Sequence, residues 1–295
     1  MRQTDQNLPF LFPGTRLTGE RNLAYAAIHP FPLPGWSPNE PFHVSGPNWQ
    51  VAFNPNGSDY LEMERGKIAD RHLDGPALMI RGRLELSDPV ETANRQKPVV
   101  DAIRGLFLLF GPPAKPVLLP AVWEGILRKT SPETVAYEVA RREATWLGLK
   151  KEELEAWGKE WQSFDPLRVP PEISFALRWF YKGMMDLAEL SGERVDAFTA
   201  LWLSVITVVR AWHSQNVGGD PSEVDRFMGY AERRLGLRSD VFDTAVLEFK
   251  EIYRRRNALF KGGGGMSVSE QELLALANLA HRLLRFELRQ LNSAA

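Results

Sequence analysis

The chain contains no cysteine among its 295 residues. This absence excludes disulfides, thiolate metal ligands and cysteine nucleophiles. The formal net charge is only −1 at pH 7, so any binding of nucleic acid must come from a local basic patch and not from overall attraction. The first residues also lack the apolar core of a signal peptide. We therefore expect a cytoplasmic protein.

Long hydrophobic runs are also missing. The longest nearly apolar run is Ala197 to Val209, and it is interrupted by Thr199, Ser204 and Thr207. A transmembrane helix needs about 20 consecutive, mostly apolar residues, so this run is too short. We expect no contact with a membrane.

Sequence motifs for metals and nucleotide cofactors are absent. The chain has no HExxH, no Walker loop and no GxGxxG. Of its histidines, His29, His43 and His72 show no ligand spacing, and we expect structural roles for His213 and His281. The sequence therefore predicts neither a metal site nor a cofactor.

The N-terminal part has the pattern of a small, mostly β module. Residues 1–45 are rich in proline, which fixes φ and removes N–H donors, so we expect extended chain with little regular structure. Alternating residues predict strands at 49–53 and 77–86, with 60–64 as a candidate pairing strand.

One helix is expected within this module. Pro98 is predicted to open it and Gly111 to end it, and the residues Val117 to Leu119 are either a short buried strand or the lead into a turn. We place the β-rich module at residues 1–128.

From about residue 131 onward the patterns are helical. The stretch 165–171 contains three prolines and is the best domain boundary, so we expect a helical connector at 129–168 and a helical bundle at 169–295. The β-branched stretch 205–209 also fits a buried strand, but the length of its segment favours a helix. The helices are expected at 131–148, 151–164, 172–190, 193–214, 221–236, 239 or 240 to 261, and from 269 onward.

The helix that ends at residue 261 carries an unusual apolar stripe. Phe242, Val246, Phe249 and Tyr253 share one face, and Arg256 follows three residues after the last of them. A permanent cation on or beside an apolar face needs an anion, a carbonyl cluster or a partner subunit opposite it, because an unpaired buried charge is costly.

Asn257 and Lys261 lie one turn apart on the same helix and point the same way. A purely structural interpretation stays open at this point. Arginines in the last turns of a helix complement the negative end of its dipole, and the glycines 262–265 are ordinary helix stops.

One short motif resembles a known family. The segment Tyr253-x-x-Arg256-Asn257-x-Leu259-Phe260-Lys261-Gly262-Gly263 is similar to the signature of HEPN domains (higher eukaryotes and prokaryotes nucleotide-binding), particularly their Apea-like branch. That signature has Arg, a polar residue that is often Asn, three further residues and His. Lys261 stands where the His belongs. Residues 198–203 also resemble the long first helix of such domains, and the resemblance covers about residues 170–292.

The resemblance implies an α+β protein in which the β-rich module precedes an all-α, HEPN-like bundle. In catalytic members two protomers face each other, the Arg steadies charge on the phosphorus and the His moves the proton, with no metal. A lysine amine is protonated at neutral pH unless its surroundings prevent it, so it suits a phosphate clamp or a general acid better than a base.

The candidate site residues are therefore Arg256, Asn257 and Lys261. We expect a homodimer that binds RNA or nucleotide phosphate at the dimer cleft, with ribonuclease activity weakened or lost. The alternative is an active, metal-independent endoribonuclease that uses the same three residues. The resemblance also implies a setting in prokaryotic antiviral defence or toxin–antitoxin systems, where the N-terminal module recognises a partner protein.

Overall fold

The structure is a computed structural model that describes residues 23–30, 42–54, 77–109, 123–128, 151–188, 194–261 and 267–293. It confirms the α+β class, with an antiparallel sheet followed by helices. The described residues form two compact units, one up to Val169 and one spanning Pro170–Gln290. The strand expected at 60–64, the segment 117–119, the helix expected at 131–148 and the glycines 262–265 lie outside the described residues.

The first unit is built on a five-stranded antiparallel sheet in the order β2-β3-β4-β1-β5. The strands expected around residues 49–53 and 77–86 are confirmed as β3 and β4, although β4 ends four residues early. The strands are β1 (Leu23–Pro30), β2 (Phe42–Gly46), β3 (Trp49–Asn54), β4 (Ala77–Gly82) and β5 (Trp123–Arg128).

The expectation of little regular structure in residues 1–45 was wrong for β1 and β2. Strand β1 lies inside the sheet between β4 and β5, and all of its residues from Leu23 to Ala27 are buried. A strand that is covered on both faces shows no alternation of apolar and polar residues, which is the pattern used to recognise strands.

Helix α1 (Pro89–Leu108) begins nine residues before the expected start at Pro98. The carboxylate of Asp88 accepts a hydrogen bond from the backbone N–H of Glu91 at 2.7 Å, and Pro89 occupies the first helical position. This N-cap is a complete start signal. Pro98 lies inside the helix, which tolerates the one backbone hydrogen bond that a proline removes.

Gln96 on α1 bridges β1 and the chain after β4, between the paired residues Ala26 and Arg81 and the isolated bridge of Leu23 with Leu86. Its side-chain oxygen accepts from the Tyr25 N–H at 2.7 Å, and its amide nitrogen donates to the carbonyls of Leu84 and Leu23 at 2.8 and 3.2 Å. The close approach requires glycine at position 82, since a Cβ there would lie 2.6 Å from the Gln96 oxygen.

Helix α2 (Lys151–Trp161) packs against the same unit. The ring of Trp157 stacks on Phe107 with centroids 4.0 Å apart and meets Trp49 edge-on at 5.8 Å. The indole N–H of Trp49 donates to the carbonyl of Phe164 at 2.7 Å. The described end of the expected connector therefore belongs to the first unit.

The second unit is helical, and its helices follow the expected ones to within a few residues. The segment expected as one helix at 221–236 consists of a short α-helix and a π-helical turn, and the β-branched stretch 205–209 is helical. The elements are α3 (Pro171–Ala188), α4 (Arg194–Asn216), α5 (Glu223–Gly229), the π-helical turn (Tyr230–Arg234), α6 (Ser239–Lys261) and α7 (Glu270–Ser293).

Helix α4 is the centre of this unit. Of the helices in the described part of the chain, it is the one long and apolar enough to cross a membrane. Its residues Phe198, Leu201 and Val205 are buried within the unit, and Gly183 of α3 approaches so closely that a Cβ there would lie 2.7 Å from the Leu201 Cγ. This is the packing of a core helix, and no membrane span is indicated.

A row of aromatic rings fixes α6 on α4 and α5. Phe227 and Phe249 stack with centroids 4.1 Å apart and planes 2° from parallel. Trp202 then contacts Phe249 at 5.5 Å and Tyr253 at 6.0 Å. The predicted stripe on α6 thus faces the core at Phe249, and the row sets the rotation of the helix about its axis.

We expect Phe249→Ala to lower the free energy of unfolding by about 3–5 kcal/mol, because it removes a fully buried ring from this row. Leu247→Ala is the control on the same helix, since Leu247 is 56% exposed and its loss costs at most about 0.5 kcal/mol. Urea unfolding followed by far-UV circular dichroism measures both. Equal losses for the two variants would contradict the assigned rotation of α6.

Candidate functional site

The candidate site lies in the last two turns of α6, directly after the aromatic row. Arg256 is half-buried there, and its guanidinium carbon lies 5.2 Å from the centroid of the Phe260 ring. Its Nη1 donates to the side-chain oxygen of Asn257 at 3.0 Å. A ring contact and a hydrogen bond therefore hold the guanidinium in place.

Arg256 has no acidic partner in the described part of the chain. Its bond to Asn257 is the one hydrogen bond that it makes there, and its Nε is buried without a hydrogen-bond partner. A guanidinium carries five N–H donors, so most of its capacity is unused. The requirement for an anion, a carbonyl cluster or a partner subunit opposite Arg256, which the sequence indicated, is therefore not met by the described residues.

Two more cations lie nearby without a carboxylate partner among the described residues. Arg254 and Lys261 are both exposed, and Lys261 follows Asn257 by one helical turn. Lys261 makes no hydrogen bond or ring contact with Arg256 or Asn257. The structure therefore brings Arg256 and Asn257 into contact, while Lys261 stands apart at the end of the helix.

Arg255 differs from its neighbours because it joins α6 to α7. Its Nε lies 2.8 Å from a carboxylate oxygen of Glu272, and its Nη2 donates to the carbonyl of Ser267. These contacts span the glycine-rich connection between the two helices and hold its far end beside α6. The charge of Arg255 is thereby neutralised within the chain.

Glu272 also forms the capping box of α7 with Ser269, as expected for a helix that starts there. The Ser269 N–H donates to the Glu272 carboxylate at 2.7 Å, and the Glu272 N–H donates to the Ser269 hydroxyl at 3.2 Å. Burial favours the neutral acid, but the hydrogen bonds from Ser269 and the charge of Arg255 outweigh it and lower the pKa of Glu272. The ionised carboxylate is the form that anchors both helices.

The candidate residues Arg256, Asn257 and Lys261 include no histidine, the usual group for moving a proton at neutral pH. No histidine of the described residues bonds to or stacks on Arg256, Asn257 or Lys261. The ring of His281 instead faces the ring of Phe180, with centroids 6.4 Å apart. Across the same residues, no group of three or more His, Asp and Glu side chains is placed to hold a metal ion. The arrangement can hold an anion, while proton transfer lacks its usual residue.

A second charged cluster, in the first unit, was missed from the sequence. Arg104 donates to Asp101 at 3.2 Å and to Glu124 at 2.9 Å, and Lys97 lies 2.9 Å from Asp101 and 3.1 Å from Glu124. The Tyr25 hydroxyl donates to Glu124 at 2.7 Å. We call these five residues the α1 charge network. Two cations face two carboxylates, so the network is balanced within the protein.

The α1 charge network shifts the pKa values of Glu124 and Tyr25. Burial raises the pKa of Glu124, but the charges of Arg104 and Lys97 outweigh it and lower the value to about 2. Burial and the adjacent Glu124 raise the pKa of Tyr25. A spacing of four and then three residues between Lys97, Asp101 and Arg104 was the available signal, because it places three charges on one helical face.

Comparison of the chain with protein-family models, with curated proteins and with solved structures found no match. The resemblance to HEPN domains therefore rests on the residues of the motif themselves.

The α1 charge network predicts a dependence of stability on pH. Because folding lowers the pKa of Glu124 from 4.5 to about 2, its stabilisation is fully present above pH 4.5 and is lost as the pH falls towards 2. We expect Glu124→Gln to cost about 3 kcal/mol at pH 7, since it leaves Arg104 and Lys97 underpaired. The difference in the free energy of unfolding between the variant and the wild type should become smaller below pH 4.5.

Chemical denaturation at a series of pH values measures this difference in the free energy of unfolding. Glu152→Gln is the matched control, because Glu152 is exposed and makes no ion pair with the described residues. A difference that stays constant from pH 7 to pH 3 would show that Glu124 does not stabilise the fold through its charge.

Proposed function

We propose that the C-terminal end of α6 binds RNA through its phosphates without cutting it efficiently, in a HEPN-like bundle of a cytoplasmic protein. The observation that carries the proposal is Arg256, a half-buried cation that is held by Asn257 and Phe260 yet has no carboxylate partner in the described part of the chain. A positioned guanidinium with free donors is a preferred ligand for phosphate.

The surroundings of Arg256 favour a single-stranded nucleic acid over a small anion. Arg254 and Lys261 add two exposed positive charges along the same end of the helix. Phe260 is 51% exposed, so its ring can stack on a base while Arg256 contacts the phosphate. Sites for single strands combine cations that follow the backbone with aromatic side chains that stack on bases.

Binding without efficient cleavage follows from the residue at position 261. Cleavage through the 2′-OH needs a group that gains and loses a proton near neutral pH, which is the role of the His in the HEPN signature. Lysine retains the positive charge for phosphate but supplies that role poorly. The resemblance further supports a homodimer in which two copies of this site face each other.

The resemblance also suggests the biological setting. That setting is prokaryotic antiviral defence or a toxin–antitoxin system. We propose that the β-rich module recognises a partner protein that controls access of RNA to the bundle.

We expect Arg256→Ala to weaken binding of a fluorescein-labelled single-stranded RNA about tenfold or more, because it removes a charged hydrogen-bonding group. Lys261→Ala should weaken it less. Each variant should reduce the slope of log affinity against log salt by about one. Fluorescence anisotropy at several salt concentrations measures both quantities.

Arg238→Ala is the matched control for these variants. It removes the same charge from an exposed position directly before α6, 18 residues and about 27 Å from Arg256 along the helix. If this variant weakens binding as much as Arg256→Ala, RNA is held by overall charge and the proposed site is wrong. If Arg256→Ala lowers the free energy of unfolding but leaves the affinity for RNA unchanged, Arg256 only stabilises the end of the helix and does not bind RNA.

We expect the wild-type protein to leave the RNA intact in EDTA, and Lys261→His to cut it, because an imidazole titrates near neutral pH at the position of the signature His. Gel analysis of end-labelled RNA detects the products. The double variant Arg256→Ala, Lys261→His is the control and should not cut. Cutting by the wild type that Arg256→Ala abolishes would replace this proposal with the active endoribonuclease.

A further inference from the structure

A separate pocket lies along the first half of α6, away from its basic end. It has a volume of about 450 Å³, is partly open to solvent and is lined by residues of α5, α6, α7 and the segment after α5. Phe227, Leu283 and Phe286 give it an apolar lining, and Val241 stands at its side with more than half of its surface exposed. Small-molecule sites are typically apolar clefts of about 300–1,000 Å³ with a few polar groups, so the size and lining fit.

The floor of the pocket is rigid. Phe227 is buried and lies flat against Phe249, within the aromatic row that positions α6. The residues of α6 beside it, Thr244 and Ala245, are small, so α6 does not fill the space in front of that ring. The pocket is thus open because of the side chains on α6.

A π-helical turn positions one of the lining residues. The turn Tyr230–Arg234 leads directly into Leu235, which lines the pocket. Buried Glu287 holds the turn, since it accepts from the Tyr230 hydroxyl at 2.7 Å and from two nitrogens of Arg234 at 2.9 and 2.7 Å. π-Helical turns occur frequently at functional sites, and this one is held by a buried carboxylate.

The charges at the mouth are unequal. Asp240 and Glu248 on α6 are both exposed and have no cation partner among the described residues. Arg282 on α7 is the opposing charge, and it likewise has no carboxylate partner in the described part of the chain. Two carboxylates against one guanidinium leave the mouth with a net charge of −1.

We propose that this pocket binds a small organic molecule with an apolar body and a primary ammonium group. The apolar body fills the space over Phe227, and the ammonium group pairs with Asp240 or with Glu248, which lie about 12 Å apart along α6. This site is independent of the proposed RNA site, because it uses other residues of α6.

The test compares three probes that share one apolar body: 4-phenylbutylamine, 4-phenylbutan-1-ol and 4-phenylbutanoate. Isothermal titration calorimetry with the full chain gives each affinity. We expect the amine to bind about tenfold more tightly than the acid, with the alcohol between them, because each exposed carboxylate contributes up to about 1 kcal/mol. Equal or tighter binding of the acid would show that Arg282 dominates and would overturn the proposal.

Two sets of variants locate the binding. The double variant Asp240→Asn, Glu248→Gln should abolish the preference for the amine and leave the affinity for the alcohol unchanged. Thr244→Trp should block all three probes by filling the pocket, and Val241→Trp is a second blocking variant at an exposed position. Leu247→Trp is the control, since Leu247 is exposed and does not line the pocket.

Circular dichroism verifies that each variant is folded. No saturable binding of any probe, or binding that both blocking variants leave unchanged, would show that the pocket is a packing gap and not a binding site. Loss of RNA binding in Arg256→Ala leaves this result unaffected, so the two proposals fail separately.

Discussion

The contact between Phe227, Phe249, Trp202 and Tyr253 sets the orientation of α6, and both proposed sites depend on that orientation. A helix presents a given side chain in one direction only when its rotation is fixed. Here stacked rings fix it from the middle of α6 towards its C-terminal end. The same packing therefore exposes the cations of the last turns and leaves an open space along the first half.

Local periodicity was enough to predict this helix but only two strands of the sheet, β3 and β4. The spacing of Val246, Phe249 and Tyr253 repeats with the helical period, so the buried face of α6 and the position of Arg256 beside it followed from neighbouring residues alone. Strand β1 carries no such signal because both of its faces are buried. The expected start of α1 was nine residues late because Pro98 lies inside the helix, whereas the N-cap is Asp88.

The sites were predictable only where their members are close in sequence. Arg256 and Asn257 are adjacent, and their contact follows from the helix itself. The α1 charge network needs Glu124 from β5 and Tyr25 from β1, which the sheet brings together from distant parts of the chain. The pocket likewise needs α7 beside α6. Pairings of this kind depend on tertiary packing, which the pattern of one segment does not contain.

The proposed function of the end of α6 separates two requirements that ribonucleases combine. Binding phosphate needs a cation whose position is fixed, and Arg256 is held by a hydrogen bond on one atom and by a ring contact on its face. Cleavage also needs a group that exchanges a proton near neutral pH. Position 261 is exposed and one turn beyond Asn257, so the residue there can change without disturbing the packing that positions Arg256. Under the proposed function, loss of cutting with retention of binding is therefore a change that this fold accepts at a single residue.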